Sequence, residues 1–306
     1  MSRYIIRRLL LLIPVLFFIS VITFALAHAV PGGPFDREKP LPAEIIANLN
    51  KYYGLDQPVW KQYVKYVSDI VLRFDFGPSY KSRVRGVNDI FRDHLPISAQ
   101  LGLAGLAIAL IMGVPLGIIG ALKQNTMWDY LSMAMAVFGV SVPGIVLGPL
   151  MILLFALALK WLPVAGWGTP AQMVMPALAL GLREAAIIAR LTRASMLQVI
   201  REDYIRTARA KGLSERVVMV RHALKNAFIP VATILGPMFA VLVTGTFIIE
   251  QIFAIPGLGK YFITSITNRD YPVVMGTILL YAVFLVLANL AVDITYAFLD
   301  PRIRYS

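Results

Sequence analysis

Residues 94–122 read HLPISAQLGLAGLAIALIMGVPLGIIGAL, a run of 29 residues without Asp, Glu, Lys or Arg. Because a helix rises about 1.5 Å per residue, about 20 apolar residues suffice to cross a hydrocarbon core of ~30 Å. The chain has five further charge-free stretches, each of 22 or more residues: 9–35, 130–159, 161–182, 226–249 and 271–292. Six such stretches predict an all-α membrane protein with six transmembrane helices.

The composition agrees with a membrane protein and excludes several functional classes. Of 306 residues, 58% are hydrophobic and 15% charged, whereas soluble proteins average roughly 45–50% and about 25%. The net charge of +12 does not indicate nucleic-acid binding, because the basic residues cluster beside the hydrophobic stretches, where topology and anionic lipid explain them. There is no cysteine, and the three histidines, His28, His94 and His222, lie far apart. We therefore expect no disulfide and no metal site.

The distribution of positive charge predicts which segments face the cytoplasm. Three arginines precede the first stretch, namely Arg3, Arg7 and Arg8, and they place the N-terminus inside. Residues 190–225 hold nine basic and three acidic residues, a net +6, whereas residues 31–95 hold ten basic and eight acidic ones, a net +2. We therefore expect 190–225 to lie inside and 31–95 outside. Six spans return the C-terminus, with Arg302 and Arg304, to the cytoplasm.

The first stretch resembles a secretory signal peptide only in part. Ala27-His28-Ala29 would fit a cleavage site, but the apolar run exceeds the ~7–15 residues of a signal sequence, and five further spans follow. We interpret it as an uncleaved helix. The predicted organisation is 1–30 for the N-terminal tip and first helix, 31–95 for an extracytoplasmic segment, 96–298 for a five-helix core with a cytoplasmic loop at about 190–228, and 299–306 for a cytoplasmic tail.

The segment 31–95 contains the pattern of two short helices. Pro42 opens one that runs to Tyr53 and stops at Gly54. The second begins near Trp60, where apolar residues form one face of a helix. Charged residues recur at every fourth position on the other face: Lys61, Lys65, Asp69 and Arg73. Such an amphipathic helix lies on the membrane surface or packs against its own bundle, and we prefer this interpretation to a ligand site.

Motifs that would indicate catalysis are incomplete. Asp75-Phe76-Gly77 matches a kinase tripeptide, but the glycine-rich loop and the HRD motif of kinases are missing from the sequence. GLGK at 257–260 resembles a phosphate-binding loop, but Ala254 and Tyr261 stand where that loop needs Gly and Ser or Thr. We therefore expect no catalytic residue and no ATP site in this chain.

A proton-driven carrier or an intramembrane protease would need ionisable or nucleophilic groups deep inside the spans. The ionisable candidates are Arg183, Glu184, Glu250 and Asp293, all near span ends, and we interpret them as interfacial. Ser132, Ser141 and Asp293 form no protease constellation. An autonomous carrier or a channel stays a remote alternative.

Small residues and prolines interrupt two of the spans. Gly113 and Gly117 form a G-x-x-x-G pair, and Gly144 and Gly148 form another. Such pairs let helices approach closely, and ordinary helix packing is the expected role of most of them. Proline in a span kinks the helix and frees carbonyls that need protein or a water-filled path. Pro143 with Gly144 is therefore the candidate for a bend beside a translocation path.

The basic segment contains a short cationic helix. Residues 203–213, DYIRTARAKGL, favour a helix that Gly212 closes, and HALKNAFIP at 222–230 leads into the fifth span. Two interpretations are open. The helix is either a positively charged anchor on anionic lipid or a docking element for a cytoplasmic motor.

These residues resemble the EAA loop of binding-protein-dependent ABC importer permeases, in the form of the peptide and nickel branch. The pattern E-A-A-x3-G-x9-I-x-L-P falls on Arg206, Thr207, Ala208, Gly212, His222, Leu224 and Lys225, of which Ala208, Gly212 and Leu224 keep the general letters. Further segments resemble the first permease subunit of peptide importers: RRL at 7–9, PGGPF at 31–35, YGLDQP at 53–58, DFGPS at 75–79 and EQIFAIPGLG at 250–259. PGGPF, Leu41-Pro42 and Gly77-Pro78-Ser79 favour the oligopeptide member.

The resemblance implies the type I ABC importer permease fold, an inner-membrane location and alternating access. It implies a second homologous permease, two cytoplasmic ATPase subunits that hold ATP and Mg, and an extracytoplasmic binding protein that delivers oligopeptides. The implied docking residues are Arg206, Thr207, Ala208, Gly212 and Leu213. Arg209 and Lys211 either add charge complementarity or face solvent or lipid, and we expect His222 to be structural. Dipeptides, glutathione or nickel are alternative substrates within the same family.

Overall fold

The computed structural model describes residues 2–30, 32–35, 42–82, 84–244 and 246–299. Within these residues the chain is helical, apart from loops and one isolated antiparallel bridge between Pro78 and Gly86. The predicted tail with Arg302 and Arg304 lies outside the described residues, as do Pro31 and Leu41 of the loop motifs.

The helices follow one another with short connections. The first seven are α1 (Ser2–Ala29), α2 (Ala43–Tyr53), α3 (Val59–Arg73), α4 (Val87–Leu122), α5 (Met127–Ser141), α6 (Gly144–Met151) and α7 (Pro170–Val199). The others are α8 (Asp203–Ala210), α9 (Glu215–Val217), α10 (Leu224–Ala227), α11 (Ile229–Thr244), α12 (Phe247–Ile252), α13 (Gly259–Asn268) and α14 (Tyr271–Leu299). Two π-helical segments are present: Ile152–Ala158 continues α6, and Val218–Ala223 joins α9 to α10.

Several of these helices have the length and composition of membrane spans. Three qualify singly, Ile6–Ala29, Val87–Leu122 and Tyr271–Ile294. Two bent pairs bring the number to as many as five: Met127–Ser141 with Gly144–Ala158, bent by 102°, and Glu215–Ala227 with Ile229–Val243, bent by 50°. These five match five of the six predicted stretches.

The stretch 161–182 differs from its prediction, because it is not one helix. Residues up to Thr169 form a loop with positive φ at Gly166 and Gly168, and α7 begins at Pro170. Thr169 and Gln172 form a capping box, with Thr169 N–H donating to Gln172 Oε1 at 3.1 Å. The helix then continues to Val199, past the predicted loop boundary at about 190, because its charged turns are rich in Ala, Leu, Met and Arg, which favour helix.

The chain divides into two compact units. Within the described residues, the large unit comprises 98–256 and 285–299, and the small unit comprises 2–97 and 257–284. In the large unit, glycines bring α4 against α7: a Cβ on Gly113 would lie 2.6 Å from Ala185 O, and one on Gly117 would lie 2.5 Å from Thr192 Cβ. The predicted close packing at this G-x-x-x-G pair is thus confirmed. The apolar interior around it contains Ala109, Ala185, Ile188, Val231, Met238 and Leu242.

The small unit contains the two short helices predicted between 42 and 73, which are confirmed as α2 and α3. Pro42 precedes α2, and Gly54 ends it with a left-handed φ of 69°. Asp75-Phe76-Gly77 forms a local turn, since Gly77 N–H donates to Asp75 Oδ1 at 2.9 Å. This geometry gives the tripeptide a structural role.

A buried carboxylate joins the segment after α3 to the start of α14, also within the small unit. Ser79 Oγ donates to Asp270 Oδ2 at 2.5 Å, and Tyr80 N–H donates to Asp270 Oδ1 at 3.0 Å. Ser79 Oγ in turn accepts the N–H groups of Lys81 and Ser82, at 3.2 and 3.1 Å. The side chains of Asp270 and Ser79 together thus fix three successive backbone positions, 80 to 82.

Candidate partner-binding site

The segment that resembles the EAA loop folds as a helix, a turn and a second helical stretch. Helix α8 ends at Ala210, and Gly212 follows with a φ of 78°, a conformation that glycine adopts without strain. The N–H groups of Lys211 and Gly212 donate to Thr207 O and Arg209 O, at 3.0 and 2.9 Å, and close the last turn. The predicted helix and its glycine stop are both present.

One face of α8 is buried against its own loop. Ile205 and Ala208, one turn apart, belong to an apolar cluster with Ala121, Met196, Val218, Met219, Ala223 and Ala227. Spacing of three residues puts both side chains on the same side of the helix. The burial of the isoleucine side chain contributes about 1.5–3 kcal/mol to holding α8 against this cluster.

Polar contacts fix the same helix at two further points. Arg209 donates to Glu215 through Nε at 3.2 Å and through Nη2 at 2.7 Å, across the turn at Gly212. This pairing raises the pKa of the Arg209 guanidinium. Asn226 Nδ2 donates to Tyr204 Oη at 2.7 Å and so connects α10 with the first turn of α8.

The predicted docking residues divide between an exposed and a buried set. Arg206, Thr207, Arg209, Lys211, Gly212 and Leu213 are exposed. Ala208 is buried in the cluster beneath α8, and His222 is half-buried in the π-helical segment. The exposed surface is cationic, because Arg201, Arg216, Arg221 and Lys225 are also exposed. The loop thus presents basic side chains on a rigid base.

The sequence interpretation assigned no contact to Ile205, Glu215 or Asn226. Ile205 could have been found from its helical spacing to Ala208. The Tyr204–Asn226 contact could not, because it spans 22 residues and crosses a π-helical segment, which changes the angular position of every following side chain.

The predicted bend at Pro143 and Gly144 is present. Helix α5 ends at Ser141, Pro143 is extended with φ −60° and ψ 142°, and α6 begins at Gly144. The Cβ of a residue at Gly148 would lie 3.1 Å from Ile252 Cγ2, so this glycine packs α6 against α12. Whether the bend borders a path for substrate stays a prediction.

Glu250, which we interpret from the sequence as interfacial, is buried inside the protein, and its depth in the membrane stays a prediction. Its side chain is buried and accepts hydrogen bonds from Ser98 Oγ at 2.6 Å and Thr246 Oγ1 at 2.5 Å. Hydroxyl donors make burial of a carboxyl group affordable, because a buried polar group needs partners. Glu250 thereby ties α12 to α4 within the large unit. Among the described residues no group of three His, Asp or Glu side chains is arranged to hold a metal ion.

Comparison with known families covers nearly the whole chain. Residues 113–305 match the binding-protein-dependent transport system inner membrane component, and residues 1–101 match the N-terminal part of such membrane components. The fold and the loop therefore define a membrane-embedded component of a transport system. The chain belongs to the family of inner membrane components of binding-protein-dependent transport systems.

Individual relatives agree with this assignment. The chain is 47% identical over 304 residues to the dipeptide transport system permease protein DppB of Bacillus subtilis (strain 168), covering 99% of this chain and 98% of that one. It is 44% identical over 307 residues to the oligopeptide transport system permease protein OppB of Escherichia coli (strain K12), with full coverage of both. An inward-facing structure of the MetNI methionine ABC transporter shares the fold, with a TM-score of 0.56, 19% identity and coverage of 69% of this chain and 96% of that one. The resemblance predicted from the loop is confirmed.

Proposed function

We propose that this chain is the permease subunit of an ATP-driven importer of oligopeptides, and that 203–213 is its docking element for a cytoplasmic ATPase. The observation that carries the docking proposal is the division of α8 into a buried face, with Ile205 and Ala208, and an exposed basic face, with Arg206. A helix that only anchored the loop to lipid would not need a second connection to α10 through Tyr204.

The same contacts provide a route for force. A push on α8 is carried by Ile205 to the end of α7, through Met196, and by Tyr204 to α10, which leads into α11. Because packed helices move as rigid bodies, ATP-driven closure of two ATPase subunits would rock α7 and α11 between inward-open and outward-open arrangements. ATP and Mg belong to those subunits, and a second homologous permease completes the pair.

Support for peptides as the substrate comes from the relatives, which include a dipeptide and an oligopeptide permease. The PGGPF and GPS segments favour oligopeptides. Dipeptides, glutathione and nickel are the alternatives within the family. In this proposal an extracytoplasmic binding protein selects the substrate, and the bend at Pro143 and Gly144 lies beside the path.

The proposed orientation follows from charge. The chain lies in the inner membrane with both termini in the cytoplasm, and the loop around α8 faces the same side, because 190–225 carries a net +6. The segment with α2 and α3 then lies outside, where a binding protein would meet it.

The test compares two glycines that share a conformation. Gly212 and Gly54 have φ values of 78° and 69°, and an added Cβ would have open space at both. Each Gly→Asp change costs about 1 kcal/mol of local strain, but only Gly212→Asp puts a negative charge on the basic docking surface. We expect Gly212→Asp to abolish copurification of the ATPases or peptide-stimulated hydrolysis in reconstituted vesicles, and Gly54→Asp to leave both intact.

Two outcomes would contradict the proposal. Normal coupled uptake by Gly212→Asp would exclude the docking role of α8. Active peptide uptake by this chain in vesicles without any ATPase would favour an autonomous carrier instead.

A further inference from the structure

Helix α3 lies alongside the C-terminal half of α1 within the small unit. The hydroxyl oxygens of Tyr63 and Ser20 are 2.9 Å apart, and the Tyr63 ring lies 5.2 Å from that of Phe24. One helical turn further, His28 Nε2 lies 3.3 Å from Gln62 Oε1. These contacts fix the position of α3 along the axis of α1, a helix that spans the membrane, and thereby the depth of α3 in the membrane.

The depth of α3 in the membrane can be estimated from the length of α1. The apolar part of α1 begins after Arg8, and the ~30 Å of a hydrocarbon core correspond to about 20 helical residues, which end at His28. Ser20 then lies ~12 Å short of His28, inside the hydrocarbon region. Tyr63 of α3 contacts Ser20, inside the hydrocarbon region, and Gln62 contacts His28, at its edge. The axis of α3 therefore lies near the boundary between the hydrocarbon core and the head groups.

The side of α3 that faces away from α1 is apolar and flanked by lysines. Trp60, Val64 and Val71 follow one another at helical spacing and are 63%, 56% and 65% exposed. Lys61 and Lys65 are exposed beside them, and Lys61 Nζ lies 5.6 Å from the centre of the Trp60 ring. Tryptophan at the membrane boundary and lysines beside an apolar stripe are typical of helices that lie in the lipid interface.

We propose that α3 is an interfacial membrane anchor. Trp60, Val64 and Val71 contact lipid at the boundary between acyl chains and head groups, and Lys61 and Lys65 extend to lipid phosphates. The depth of α3 favours lipid over a protein partner, because Ile22 and Leu26, on the turns of α1 that flank Phe24, are apolar and exposed at the same level of a membrane span. The stripe on α3 therefore lies at a depth where exposed apolar side chains of α1 also meet lipid.

The experiment uses the absence of cysteine from the chain. Nitroxide labels are attached at Val64→Cys, Val71→Cys and, as a matched control, Val84→Cys, an apolar residue that is 91% exposed and lies outside α3. The chain is reconstituted with its partner subunits in nanodiscs of phosphatidylethanolamine and phosphatidylglycerol. Relaxation of each label by oxygen, which dissolves in lipid, and by a water-soluble nickel chelate then reports the depth of the label.

We expect the oxygen-to-nickel accessibility ratio to be several-fold higher at positions 64 and 71 than at position 84. Equal ratios at the three positions would overturn the proposal. If labels 64 and 71 were open to nickel and became shielded only when the binding protein was added, the stripe would be a protein-docking surface and the lipid proposal would be wrong. The measurement requires no transport activity, so its outcome is independent of the substrate and of the docking role of α8.

The lysines are tested separately. With Val64→Cys as the reporter, replacing Lys61 and Lys65 by Gln removes the expected attraction to phosphate. We expect the label to become several-fold more accessible to nickel in the Gln variant, whereas the same two changes should leave label 84 unaffected. An unchanged label 64 would overturn the role given to the two lysines.

Discussion

Arg193 holds Asp129 through two hydrogen bonds of 2.7 Å each, from Nε to Oδ1 and from Nη2 to Oδ2. The Asp129 side chain is 4% exposed and that of Arg193 is 26% exposed, so the pair is largely removed from water. Asp129 also accepts the N–H of Asn125 at 3.0 Å, and Gly120 leaves room for both charged side chains, since a Cβ there would lie 3.2 Å from each. The pair therefore fixes the α4–α5 corner to α7.

Removing one member of this pair should destabilise the large unit strongly. We expect Asp129→Ala to lower the free energy of unfolding by about 3 kcal/mol, because it leaves the Arg193 charge without its partner in a largely buried place. The midpoint of thermal unfolding of the purified protein in detergent measures this. The double variant Asp129→Leu with Arg193→Met should recover most of the loss, because two apolar side chains need no partners. A double variant as unstable as the single one would contradict this account.

The glycines of the two G-x-x-x-G pairs should differ in their sensitivity to alanine. At Gly117 an added Cβ would meet Ala189 O at 2.6 Å, which is backbone and cannot move aside, whereas at Gly144 the first atom met is Ile249 Cδ1 at 3.4 Å. We expect Gly117→Ala to cost about 1–3 kcal/mol, as overpacking does, and Gly144→Ala to cost much less. Thermal unfolding of the two variants side by side measures the difference, and equal losses would contradict the geometric argument.

The buried Asp270 should give the stability of the protein a specific pH dependence. Burial raises its pKa above the ordinary value of 3.8, although hydrogen bonds from Ser79 and Tyr80 lower it. The folded protein therefore binds this proton more tightly than the unfolded chain does. The free energy of unfolding is therefore lowest at a pH above the raised pKa, and it increases as the pH falls from there toward 3.8. The total increase is about 1.4 kcal/mol for each unit by which the pKa in the folded protein exceeds 3.8.

The Asp270→Asn variant separates this effect from other titrations. Its amide cannot ionise, and its oxygen can still accept the hydrogen bond from Ser79 Oγ. The contact with Tyr80 N–H is then lost, which lowers stability equally at every pH. We expect the wild type to gain thermal stability relative to the variant as the pH is lowered from neutral toward 3.8. Parallel pH profiles for the two proteins would show that Asp270 has no raised pKa.

The charge-free stretches of the sequence predicted the membrane helices well where a single helix occupies the whole stretch. They predicted α4 and α14 because one helix fills each of the runs 94–122 and 271–292, and α4 continues through Pro115. They misplaced the start of α7, because hydropathy does not register a capping box, although Thr169-Pro170-Ala171-Gln172 is visible in the sequence. They did not indicate that Glu250 is buried, because only the fold brings the hydroxyls of Ser98 and Thr246 to it.

The candidate site was predictable only in part, because some of its features are local in the sequence and others depend on tertiary contacts. The glycine at 212 and the basic residues before it are local features, and they mark the turn and the exposed face. The burial of Ala208 and the pairing of Arg209 with Glu215 depend on how the chain returns after Gly212. Such contacts are set by the tertiary path, which residue spacing does not specify.

The bend at Pro143 allows a test of the proposed substrate path that is separate from ATPase docking. Proline removes a backbone N–H and disfavours helix at Val142, so Pro143→Ala should let α5 extend toward α6 and reduce the 102° bend. We expect peptide uptake to fall several-fold while the ATPase subunits still copurify and hydrolyse ATP. Pro149→Ala, a change within α6 on the far side of the bend, is the matched control and should preserve uptake. If Pro143→Ala transported normally, the bend would have no part in the path; if it lost the ATPases, its effect would be on assembly.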